Sequence, residues 1–286
     1  MRKLPSAGIY RLTRSWLFWA ITAYAALCGV VFGVFLRRGG IEDMLLMAFW
    51  IGFAVLISLS VGREHHDSTL RNKLVAGHTR GRLLLSEIIL HAGACTAWAA
   101  ICALIAGLIG GASYFSHFPW HVALLTVVGF LLCSMTVGVL MTVLCLLLPQ
   151  RGVGPILCIL LVIGLSLGSY ATGDVLMSPE YYLVVDVDEN GVETERLVQN
   201  ESYVGEPLRT VVNVLHHVNP FSLYNHVDHA DFYYIYEYEY VEGDAFLVPQ
   251  LDRCERAIAL TPLCMAGLTG VVGAVGYALF RRKDLK

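Results

Sequence analysis

Six long apolar runs constrain this chain more than any other feature: Ser15 to Leu36, Met44 to Val61, Leu83 to Gly110, Trp120 to Leu148, Gly152 to Tyr170 and Ala257 to Phe280. Each comes close to or exceeds the roughly 20 residues that a helix needs to cross a bilayer core. Hydrocarbon offers no water to unpaired peptide groups, so each run must be helical. Only 15% of the residues are charged and 56% are hydrophobic, whereas soluble domains are about a quarter charged. The expected fold class is an all-α polytopic membrane protein with six transmembrane helices. The first run is too long for a signal-peptide core and no small-residue cleavage site follows it, so it is expected to remain as an anchor.

Charge then orients the spans. With the N-terminus cytoplasmic, 14 of the 20 Lys and Arg residues fall on the inner side, and the positive-inside rule favours this arrangement. The six on the outer side are Arg37, Arg38, Arg196, Arg209, Arg253 and Arg256. The formal net charge of −3 hides a division: Thr172 to Asp252 holds 16 of the 23 acidic side chains and two basic ones, leaving that segment at −14 and the rest at +11. The chain is therefore expected to divide into residues 1–171 with five spans, an acidic extracytoplasmic domain at 172–252, and residues 253–286 with the sixth span and a basic tail. Both termini face the cytoplasm in this scheme, and the plasma membrane of a bacterium is the expected location.

Local patterns add detail outside the spans. Arg2 to Arg14 mixes basic residues with Leu4, Ile9, Tyr10 and Leu12, which suits a short helix in the interface. Tyr181 to Asp188 and Val192 to Val198 flank Asn190-Gly191, a hairpin-turn pair. Leu208, Val211, Val212 and Leu215 recur at helical spacing between Pro207 and Asn219-Pro220. Tyrosine alternating with glutamate from Tyr236 to Tyr240 has the period of a strand. The domain is thus expected to be a small α/β unit.

Seven cysteines sit inside apolar runs without metal-ligand spacing and read as small core residues. Cys254, at the outer boundary, has no evident partner and is taken as free. His216, His217, His226, Asp228, His229 and Asp231 form a stretch rich in metal-ligand types, but their spacing matches no strong motif, so no metal site is assigned. Glu87 and His91 are the clearly ionisable side chains within the runs, and Glu87 is expected to reach the interface or to pair with Arg80 or Arg82. Gly267, Gly270, Gly273 and Gly276 would let the last span approach a neighbour closely, in this subunit or another. No catalytic constellation and no G-x-x-x-x-G-K-[ST] phosphate loop occurs, so the chain is not expected to be an enzyme or to bind ATP itself.

The connection between the second and third runs is the most informative stretch. It contains Glu64, and then Ser68-Thr69-Leu70-Arg71-Asn72-Lys73-Leu74-Val75-Ala76-Gly77-His78-Thr79-Arg80. Asp67 or Ser68 can cap a helix that carries Leu70, Leu74 and Val75 on one face, and Gly77 can supply the left-handed residue that ends it. The stretch resembles type 2 ABC exporter permeases, in which a Glu precedes a pattern close to Gly-Thr-Leu-Arg-x-Lys-Leu-x-x-Gly-x-[Ser/Thr]-Arg. Here Ser68 stands where many members have Gly. Arg11 to Ser15, Asn219-Pro220-Phe221 and Phe280 to Leu285 fit the same family.

That resemblance implies a coupling role for Glu64, Asp67, Ser68, Thr69, Leu70, Arg71, Lys73 and Leu74, with Gly77 and Arg80 shaping the exit. It implies as partners a cytoplasmic ABC ATPase subunit, which would bind ATP and Mg, and a second permease chain, identical or related, within the lipid bilayer. Nucleic acid is not expected. The implied function is ATP-driven export of a hydrophobic or amphipathic substrate such as a peptide. The alternative of another class is a non-transporting membrane sensor or immunity protein that binds an external peptide.

Overall fold

A computed structural model describes residues 3–38, 43–66, 69–112, 120–148, 153–178, 180–187, 193–223, 237–241, 244–248 and 251–282. Six helices in it are long and apolar enough to cross a membrane. The chain is a helical multi-pass membrane protein.

A short helix α1 (Lys3–Thr13) leads into α2 (Trp16–Arg37), with Ser15 in extended conformation between them. Helix α3 (Asp43–His66) returns and is followed by the seven-residue α4 (Thr69–Val75). Next come α5 (Arg80–Ala106), continued by a π turn at Gly107–Gly111, α6 (Trp120–Leu147) and α7 (Val153–Met177). The connection from α7 to the last helix holds β1 (Tyr181–Val187), β2 (Glu193–Gln199), α8 (Leu208–His217), β3 (Glu237–Val241) and β4 (Asp244–Val248). Helix α9 (Leu251–Arg282) closes the bundle. The basic end of the bundle gathers α1, α4 and the last turn of α9; the acidic end carries the strands and α8.

Several helices outrun the apolar runs that signal them. Helix α7 continues past Tyr170, and Thr172 within that extension turns its hydroxyl back onto the Gly168 carbonyl (2.7 Å), so the polar group is satisfied against the helix itself. The end of α7 is then held by Arg209, whose guanidinium donates to the carbonyls of Leu176 (2.6 Å) and Val175 (3.3 Å). A cation at carbonyls that have no helical partner is favourable there. Helix α9 starts six residues before Ala257, and its 32 residues span about 48 Å, well beyond a hydrocarbon core of about 30 Å.

Helix α6 occupies the centre, against α9, α5 and α3, while α2 packs on α5 and α7 on α3. The core is aromatic: Phe49, Trp50, Phe53 and Trp98 are fully buried. Both buried indoles satisfy their N–H across helices, Trp50 to the Ser134 hydroxyl (3.2 Å) and Trp98 to that of Thr22 (2.9 Å). Helices α2 and α5 meet at Gly29, where an added Cβ would lie 2.8 Å from the Cys102 carbonyl oxygen. Of the glycines on α9, Gly276 is the one pressed against a neighbour, Val143, whereas Gly267, Gly270 and Gly273 meet nothing within 4 Å.

At the acidic end β1 and β2 form an antiparallel pair in the register Tyr181 with Gln199 and Val187 with Glu193. The Asn190-Gly191 turn itself lies outside the described residues. Strand β3 pairs with β4 as a second two-stranded ribbon. Asn219 fastens the segment after α8 to the bundle through its amide and the Leu165 carbonyl (2.8 Å). His216 is buried against Thr172 (2.8 Å) and His217 donates to the Asn213 carbonyl (2.9 Å). His226, Asp228, His229 and Asp231 lie outside the described residues.

Candidate functional site

Helix α4 is short because its ends are strongly marked. Gly77 takes a φ of +90°, a conformation that glycine alone adopts cheaply. The His78 N–H then reaches the Lys73 carbonyl (3.2 Å) and the Gly77 N–H the Leu74 carbonyl (2.9 Å), closing the helix in a Schellman-type arrangement. After this turn the Thr79 hydroxyl accepts from the Arg82 N–H (3.4 Å) and opens α5.

The seven residues of α4 divide into two faces. Leu70 is buried and Lys73 and Leu74 are half-buried, pointing into the bundle, while Arg71, Asn72 and Val75 are exposed. Val75 is 82% exposed, so it does not share the inward face with Leu70 and Leu74 that its spacing suggested. The reason is the helical period: position 75 lies five residues from 70, about 500° around the axis.

Lys73 is the centre of the inward face. Its ammonium donates to Glu64 Oε2 on α3 (2.8 Å) and to Glu87 Oε1 on α5 (2.9 Å). Glu64 also pairs with the guanidinium of Arg11 on α1. Both carboxylates are buried, at 6% and 3% exposure. Two acids and two bases thus cancel in formal charge, which is the condition for keeping them out of water. Glu87 pairs with Lys73, not with Arg80 or Arg82, because α4 folds back under the bundle and brings Lys73 to it. His91, one turn along α5, donates from Nδ1 to the Glu87 carbonyl (2.9 Å), which leaves Nε2 of the neutral ring to accept from the Ser60 hydroxyl (3.2 Å) on α3.

Arg80 ties the exit of the segment elsewhere, donating to the Arg281 carbonyl in the last turn of α9 (2.9 Å). The segment from Glu64 to Arg80 therefore holds α1, α3, α5 and α9 together at one end of the bundle. Of the residues that the motif singles out, Glu64, Leu70, Lys73 and Leu74 face inward, Arg71 faces solvent, and Thr69 is half-buried. Asp67 and Ser68 lie outside the described residues. Arg11 and Glu87 complete the cluster without being part of the motif. Their signal was charge counting, since an acid in each of two apolar helices demands two nearby cations.

No protein-family model matches the chain, and no curated protein does.

Proposed function

We propose that this chain is the permease subunit of a type 2 ABC exporter, with α4 as the element that receives the stroke of a separate cytoplasmic ATPase. The observation that carries this reading is Lys73, which ties α4 to α3 and α5 through two buried carboxylates. A soluble subunit that moves on ATP binding can shift membrane helices only through an element rigidly fixed to them. Arg71, Asn72 and Val75 form the outward face for that partner, and Glu64, Lys73 and Glu87 transmit its displacement. The basic end is then cytoplasmic and the acidic connection extracytoplasmic, a small α/β domain. An apolar cavity of about 140 Å³ bounded by Phe32, Leu46, Trp50, Phe130, Cys133 and Leu223 supports a hydrophobic or amphipathic cargo.

The test is purification of the tagged chain from its native membranes, with Mg-ATP hydrolysis measured in the eluate. Hydrolysis accompanies the wild type and falls about tenfold with Arg71→Glu, equivalent to roughly 1.4 kcal/mol of contact, while the thermal midpoint of the chain is unchanged. Absence of any accompanying ATP hydrolysis, or full retention in Arg71→Glu, overturns the assignment.

A further inference from the structure

At the basic end a cavity of about 220 Å³ opens between α1, the start of α2, α3, α4 and α5. Its wall is of two kinds. Arg11, Arg63 and Thr69 supply donors, while Leu59 and Leu90 supply apolar surface. Glu64 also borders it, but that carboxylate is already matched by Arg11 and Lys73. With Lys73 and Glu87 cancelling and Glu64 set against Arg11, the charge left over is that of Arg63, which has no ion-pair partner among the described residues.

Leu59 and Arg63 stand four residues apart on α3, so they lie on one stripe of the helix. Leu59 is 45% exposed on a helix long and apolar enough to cross a bilayer, and Arg63 continues that stripe to the basic end. A cavity holding only water would explain the polar wall but not its continuity with an exposed leucine of an apolar span. An amphiphile with a negative head explains both.

We propose that this cavity binds an anionic phospholipid, its phosphate against the guanidinium groups of Arg63 and Arg11 and its acyl chain along Leu59. Planar guanidinium groups match phosphate oxygens in pairs, and basic pockets between membrane helices recruit lipid head groups in this way. The lipid bridges α1 and α3 and pins α1 against the bundle. Nothing in this assignment depends on the transport proposal.

The full chain in neutral detergent is titrated with dioleoyl phosphatidylglycerol, dioleoyl phosphatidylcholine or inorganic phosphate, and the thermal midpoint is followed. Phosphatidylglycerol raises the midpoint saturably in the wild type and in Arg82→Gln, a control that removes the same charge from an exposed site outside the cavity. The shift falls by half or more in Arg63→Gln and returns in part in Arg63→Lys, which keeps the charge but not the paired geometry. An equal shift in Arg63→Gln and Arg82→Gln, an equal shift from phosphatidylcholine, the same shift from inorganic phosphate, or no saturable shift at all overturns the proposal.

Discussion

Lys73 sits between two buried carboxylates with 17% of its side chain exposed, so its removal would strand like charges against each other in a low dielectric. Breaking a buried ion pair by deleting one partner costs about 3–5 kcal/mol, more than the pair itself contributes. Lys73→Met is therefore expected to lower the thermal midpoint of the purified chain severely. The double variant Lys73→Met with Glu87→Gln is expected to recover most of that loss, because Glu64 keeps Arg11 and no acid is left without a cation. A double variant no more stable than the single one would show that Lys73 acts through packing instead. The motif marks Glu64, Lys73 and their neighbourhood in the sequence, but it does not say that Glu64 points inward. That fact depends on Glu87 and Arg11, 23 and 53 residues away in the chain, and on α4 folding under the bundle.

Among the elements, α4 depends most on a single backbone angle. Gly77 meets no atom within 4 Å of an added Cβ, so Gly77→Ala costs backbone strain alone, about 1–2 kcal/mol for a left-handed residue. Gly93, exposed in the middle of α5, also meets nothing within 4 Å, yet Gly93→Ala is expected to stabilise by about 0.5 kcal/mol, since helical glycine is the costlier residue. Opposite signs of the two midpoint shifts check the argument, and a stabilising Gly77→Ala would contradict the observed stop of α4. The same contrast explains what was legible beforehand. The spans, α1, α8 and the stop at Gly77 follow from local pattern. The end of α7 does not, because it is held by the guanidinium of Arg209, more than thirty residues along the chain. Nor does the outward position of Val75, which an apolar-face reading assigns to the core.

For the whole molecule, the order of the spans makes a statement about sides that is independent of any function. Ala76 follows two membrane helices and Glu201 follows five, so three crossings separate them and they must face opposite compartments. Both positions are exposed. The seven described cysteines are buried or half-buried in the spans, where a thiol lacks the water that supports its reactive thiolate. With Cys254→Ser as background, Glu201→Cys is expected to react with a membrane-impermeant maleimide on intact cells, and Ala76→Cys only after permeabilisation. The concentration of Lys and Arg at the α4 end sets that direction. Labelling of both positions from one side would overturn the six-span bundle itself. The reversed pattern would leave the bundle intact but turn α4 away from cytoplasmic ATP, and the exporter assignment would fall with it.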